Sequence, residues 1–137
     1  MPSVYWRSLT DAEVIDVELL TLKGQARSVK LLVDSGFTGK SSLILSDHAS
    51  DLARAELPPA QTMGALQGSQ NRAWVTCRVP ELSFQCTLIA IFTDITSLSL
   101  PRGVDGMVGL SFLRNFARWG AERTPTGWAF FLSYGDG

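Results

Sequence analysis

The run VDSGFTGKSS, residues 33 to 42, gathers the residues of this chain whose types and spacing suit chemistry. Gly39-Lys40-Ser41 is how a phosphate-binding loop ends, but such a loop also needs a glycine five positions before Gly39, so that backbone amides can curl round an anion. Asp34 stands at that position, and its carboxylate would repel a phosphate. What is left is a carboxylate on a glycine-containing turn directly after an apolar segment, a group able to take or give a proton. An isolated Asp-Ser-Gly is also an ordinary turn in which the aspartate bonds its own backbone, and the tripeptide alone does not separate the two readings.

The rival chemistries lack parts. His48 is the single histidine and lies far in sequence from both cysteines, Cys77 and Cys86, and no Gly-x-Ser-x-Gly elbow occurs. Asp47, His48 and Asp51 have helix spacing, yet without a second histidine or a nearby thiolate they read as a solvated cluster, and no metal site is expected. Two cysteines are too few for a disulfide framework and read as free buried thiols.

The chain has 137 residues, 45% of them hydrophobic, which fits one domain with one core. Twelve basic residues against 13 acidic ones leave a net charge of -1, and the basic residues form no stripe, so neither nucleic acid nor an anionic membrane is an expected partner. The N-terminus lacks a basic start followed by an apolar stretch, and the apolar run from Leu88 to Phe92 is too short to cross a bilayer. A cytoplasmic protein is expected.

The elements that must position Asp34 follow a period of two, the mark of strands with one buried face. Residues 13 to 20 set Ile15, Val17 and Leu19 on one face; residues 26 to 33 set Val29, Leu31 and Val33 likewise, with Lys23-Gly24 as the turn between them. This hairpin runs straight into Asp34. Residues 41 to 46 predict a short buried strand, after which Ser46 or Asp47 caps a helix over 48 to 57 that Pro58-Pro59 ends. Residues 61 to 79 read as a hairpin with glycines at its tip, 82 to 92 as a strand and 93 to 103 as a polar connection. Met107-Val108 then meets Gly109, Ser111 caps a short helix presenting Phe112, Leu113 and Phe116, and an aromatic strand covers 127 to 135. The expectation is an all-β chain, mainly β with one or two short helices, closed into a small barrel. Residues 1 to 12 read as an N-terminal arm, its order left open, before a single domain over 13 to 137.

A buried strand running into Asp-Ser-Gly, a second short strand, a glycine-tipped hairpin, and an apolar-apolar-Gly opening a helix about seventy residues later resembles the retroviral-type (retropepsin-like) aspartic proteases, most of all their bacterial branch. VDSGFTG and DGMVGLSFLRNF carry the resemblance, which covers about residues 13 to 134. It implies that Asp34 is catalytic, that Ser35, Gly36 and Thr38 support its loop, that Val108-Gly109 passes behind that loop, and that Leu66, Gln67 and Gly68 belong to a flap closing over substrate. Phe37 departs from the alanine common in viral members. Because the chain has one such aspartate, the resemblance further implies a homodimer with two Asp34 carboxylates round one water, acting on a peptide or protein without metal or cofactor. By the same resemblance the aromatic chain end, Trp128 to Tyr134, could interleave into a dimer sheet. The same resemblance also admits a catalytically inactive module that dimerises or binds peptides.

Overall fold

The computed structural model describes residues 1–62 and 68–135, with side chains omitted at 60–62 and 68–69. The hairpin comes first to hand: β2 (Val14–Leu20) pairs antiparallel with β3 (Ala26–Val33), from Val14↔Leu32 to Leu20↔Ala26. Gly24, at φ +77°, takes the left-handed conformation of the intervening turn. The alternation of residue types becomes alternation of burial, with Ile15, Val17, Leu19 and Leu31 at 1% exposure or less.

From this hairpin a barrel is closed. β4 (Leu43–Ser46), β6 (Gly68–Val79), β7 (Phe84–Thr93) and β8 (Gly106–Val108) join it in the order β2-β3-β8-β4-β7-β6, and β6 returns to β2 through Glu18↔Arg78 and Leu19↔Cys77. An Arg78–Glu18 ion pair of 2.7 Å lies across that seam. The six-stranded ring is the closed, mainly β architecture expected from the alternation.

β8 holds the ring's most constrained place. It pairs parallel to β3 and antiparallel to β4, so a strand from late in the chain fills the gap between two strands joined by residues 34 to 42. Leu43, Leu45 and Val108 point inward, into a core that the single helical turn α1 (Leu110–Leu113) completes with Phe112 and Leu113. Phe84 lies against Phe112, Phe116 and Tyr134 with ring centroids 6.1, 4.6 and 5.0 Å apart.

Two local expectations are corrected. Residues 48 to 57 form no helix: turns lead into β5 (Arg54–Thr62), an outer strand paired with β6. Ser46 does accept from the His48 amide at 3.1 Å, but the cap opens a turn only. Helix propensity over HASDLARAEL is a weak preference that pairing to β6 overrides. Pro58-Pro59, expected to end a helix, sits inside β5 where the register shifts between Leu57 and Ala60, a place where an edge strand tolerates missing donors. Ser111, in turn, is no cap: Gly109 opens α1 and Ser111 lies within it.

A second sheet has the order β1-β10-β9, from β1 (Ser3–Arg7), β10 (Gly127–Ser133) and β9 (Arg118–Thr124). Its inner face, with Phe130 and Leu132 and the half-buried Val4 and Trp6, packs on the barrel core. Residues 3 to 7 are thus a paired strand, and β10 has strands of its own chain on both sides. The aromatic chain end therefore has strand partners within its own chain. Among the described residues no helix is long and apolar enough to cross a membrane.

The narrow fit of β8 is testable at Gly106, where an added Cβ would stand 2.2 Å from the Ile44 carbonyl oxygen. Gly106→Ala must part β8 from β4, and a loss of about 1–3 kcal/mol is expected by analogy with overpacked cores; chemical denaturation measures it, and an unchanged midpoint would contradict the fit.

Candidate active site

Asp34 follows the last residue of β3, and its surroundings are set mainly by backbone. The Val33 amide donates to Glu13 at 2.9 Å and the Asp34 amide to the Val108 carbonyl at 2.9 Å. The chain then turns: the Phe37 amide donates to the Asp34 carbonyl at 3.0 Å, and the Gly36 amide to Asp34 Oδ1 at 2.9 Å. A side chain at 36 would press on that oxygen, its Cβ only 3.1 Å away. One carboxylate oxygen is thereby fixed, while Oδ2 has no hydrogen bond among the described residues. Asp34 is half-buried, and Ser35 and Gly36 are exposed.

Three backbone hydrogen bonds join residues 34 to 42 to the segment behind them. Besides Asp34 to Val108, the Leu110 amide donates to Phe37 and the Gly109 amide to Ser42, each at 2.9 Å. Val108 is fully buried. Gly109 is required by proximity: a Cβ there would lie 2.5 Å from both the carbonyl oxygen and a ring carbon of Phe37. The Phe37 ring enters a small cluster on the barrel's outer side with Ile44, Ile91, Ile95, Leu98 and Met107. Its aromatic bulk is therefore turned into the scaffold.

The structure thus brings Asp34, Ser35, Gly36, Val108 and Gly109 together. Thr38 is exposed, and among the described residues no hydrogen bond joins it to Asp34. Leu66 and Gln67 lie outside the described residues; Gly68 begins β6, opposite Thr62 of β5. Ser42, which sequence reasoning passed over, and Ser111, read there only as a helix cap, complete the arrangement. Ser42, 4% exposed, shares a 2.8 Å hydroxyl hydrogen bond with Ser111, which also donates to the Ser41 carbonyl at 3.3 Å. A serine opening a wholly apolar strand was the available signal, because a buried hydroxyl needs a partner.

Other groups are occupied elsewhere. Asp94 accepts from the Thr96 amide and hydroxyl, and Asp105 from the Lys30 amide at 2.9 Å. Asp51 pairs with Arg27 at 2.5 Å, and the His48 side chain is 95% exposed. Among the described residues no cluster of three His, Cys, Asp or Glu is placed to hold a metal ion. Cys77 and Cys86 are unpaired and directly opposite on β6 and β7. Burial pushes the Cys86 thiol up to about 11 and Cys77 higher still, so neither is a ready nucleophile near neutrality.

No protein-family model matches the chain, and no curated protein matches it. Among solved structures it is similar to EIAV protease complexed with the inhibitor HBY-793, at 13% sequence identity and a TM-score of 0.47, over 80% of this chain and 91% of that one.

The Ser42–Ser111 contact generates a double-mutant test. Ser111→Ala strands the buried Ser42 hydroxyl and is expected to cost about 1–2 kcal/mol, Ser42→Ala leaves Ser111 its Ser41 carbonyl and costs less, and the double substitution costs no more than Ser111→Ala alone, since it removes the unmet demand. Urea denaturation of the four proteins checks this; additive losses would mean that the two hydroxyls act separately.

Proposed function

We propose that the protein is an aspartic endopeptidase of the bacterial retropepsin-like branch, active in the cytoplasm as a homodimer. One observation carries the reading: the carboxylate turn is anchored from behind by Val108, Gly109 and Leu110, yet presents a free Asp34 oxygen beside the exposed Ser35 and Gly36. A turn with no task beyond reversing the chain does not need a strand from seventy residues away to hold it. Two unpaired thiols facing each other fit a reducing compartment.

The chain offers one such carboxylate, and peptide hydrolysis through water needs two, so a second copy supplies the other. With the pair about 3 Å apart, one proton is shared between them. The ionised member takes a proton from the water as that water attacks the scissile carbonyl, and the protonated member donates to the carbonyl oxygen. Collapse of the tetrahedral species breaks the carbon–nitrogen bond, and a carboxyl returns a proton to the leaving amine. Ser35 stands next to the joint of the two loops, where its hydroxyl can reach backbone of the other copy. The flap to which the resemblance assigns Leu66, Gln67 and Gly68 closes along an extended peptide and pairs with it as an added strand. No metal, cofactor or covalent intermediate takes part.

Asp34→Asn separates this reading from a plain turn. Its amide oxygen can still accept from the Gly36 amide, so folding is expected to stay within about 1 kcal/mol of wild type, whereas the amide cannot take the water's proton and cleavage is lost. Mass spectrometry of a diverse peptide pool, from mildly acidic to neutral pH, is the check. Products from wild type alone support the peptidase; equal cleavage by both removes Asp34 from the chemistry. A folded wild type that binds peptides without cutting any favours the inactive module.

A further inference from the structure

A cavity of about 270 Å³ opens between the turn end of the β2–β3 hairpin, the end of β4 and the segments that lead into β5 and β8. None of the residues lining it belongs to the carboxylate turn or to Val108–Leu110 behind that turn. We propose that this cavity is a binding site for a small amphipathic amine, which enters apolar tail first and leaves its ammonium head at the rim. The site stands on its own geometry and does not depend on the peptidase reading.

The floor is apolar. Leu19, Val29, Leu45 and Leu52 line it, each at 5% exposure or less and each a member of the barrel core, and the half-buried Ile95 and Val104 extend the wall. Leu52 is held beside the hairpin by its bridge to Thr21 and by the Ala53 amide, which donates to the Leu20 carbonyl at 3.0 Å. Such a surface takes up hydrocarbon and offers nothing to a charge. The volume lies just below the usual range for drug-sized ligands, so the occupant is small.

The rim is charged and mostly negative. Asp105 lines it; one of its oxygens accepts from the Lys30 amide at 2.9 Å, and the other has no hydrogen bond among the described residues. Asp47 and Asp94 are chain neighbours of the lining residues His48 and Ile95, and both are exposed. Asp47 has the His48 ring 3.7 Å away, and the Thr96 hydroxyl and amide hold the Asp94 carboxyl below the usual carboxylate range. Arg27 is the cation among the lining residues, and Asp51 already pairs with it. The field round the opening therefore draws a cation and repels a phosphate or carboxylate.

Apolar inside and acidic outside, the cavity also selects among cations. A lysine side chain of another protein would enter ammonium first and bury its charge against Leu19, Leu45 and Leu52, which is costly without a partner. A free amine with a hydrocarbon tail enters the other way round: the tail leaves water, and the head stays hydrated beside Asp105.

Hexylamine, hexanol and heptanoate carry the same hydrocarbon tail under three different heads, and methyl NMR of the full chain reads their binding at Leu19, Val29, Leu45 and Leu52. Hexylamine is expected to bind with a dissociation constant on the order of 1 mM, hexanol about tenfold more weakly and heptanoate more weakly again. Nα-acetyl-lysine methylamide, whose ammonium leads, is expected to shift none of these methyls. Asp105→Asn keeps an oxygen for the Lys30 amide, so circular dichroism is expected to show an intact fold, while hexylamine binds about threefold more weakly and hexanol as before. Salt at about 1 M removes the advantage of hexylamine over hexanol with no substitution at all. No methyl shift with any probe, equal binding by the three heads, a preference for heptanoate, binding of the lysine compound as tight as that of hexylamine, or an Asp105→Asn effect shared by hexanol each overturns the site. None of these outcomes depends on Asp34.

Discussion

The structure depends on one steric constraint, the passage of β8 between β3 and β4 with no room for a side chain at Gly106 or Gly109. Once that strand is seated, it supplies hydrogen-bond partners to both flanking strands and to the loop between them. Residues 34 to 42 then have little freedom left, because their beginning, middle and end are each bonded to consecutive residues of one segment. The position of a carboxylate is set here by backbone geometry and by the absence of two side chains.

That arrangement explains why the loop can be both exposed and rigid. Exposed turns ordinarily have few buried contacts to fix them. This one is fastened from below, by amides and carbonyls that point into the protein and by the Ser42–Ser111 pair, which leaves Asp34, Ser35 and Gly36 without structural duties on their outward side. Phe37 extends the anchoring in another direction, since its ring ties the loop to the outer faces of β4, β7 and β8.

How much of this could be read in the sequence varies with the range of the interaction. The β2–β3 hairpin was plain, because Ile15, Val17, Leu19, Val29 and Leu31 alternate without interruption and Gly24 marks the turn. The carboxylate turn and the Val108-Gly109 element were recognisable as types, although nothing in their spacing says how many hydrogen bonds join them. The segment 48 to 57 misled because its alanines, leucine and charges satisfy a helical pattern, whereas its conformation is decided by β6, a partner that follows it in the chain. β1 and β9 escaped notice for a related reason. Trp119 and Ala121, which flank Gly120 between Arg118 and Glu122, stay exposed, and Ser3–Arg7 finds its partner at the far end of the chain. The Ser42–Ser111 contact was hidden, although Ser111 itself had been read as a cap, because it joins residues that no local pattern connects.

The prolines in β5 carry a consequence for how this molecule keeps its own company. A strand at the margin of a sheet is a template on which other chains can polymerise, and repeated addition of that kind produces fibres. Pro58 and Pro59 remove two successive backbone donors from β5 where its register shifts, and the Arg72 guanidinium occupies the Pro58 carbonyl at 3.0 and 3.2 Å. A foreign strand laid along β5 would find rungs missing in the middle of the ladder. The margin along β5 thus resists the indefinite strand-on-strand growth that an unbroken edge would template.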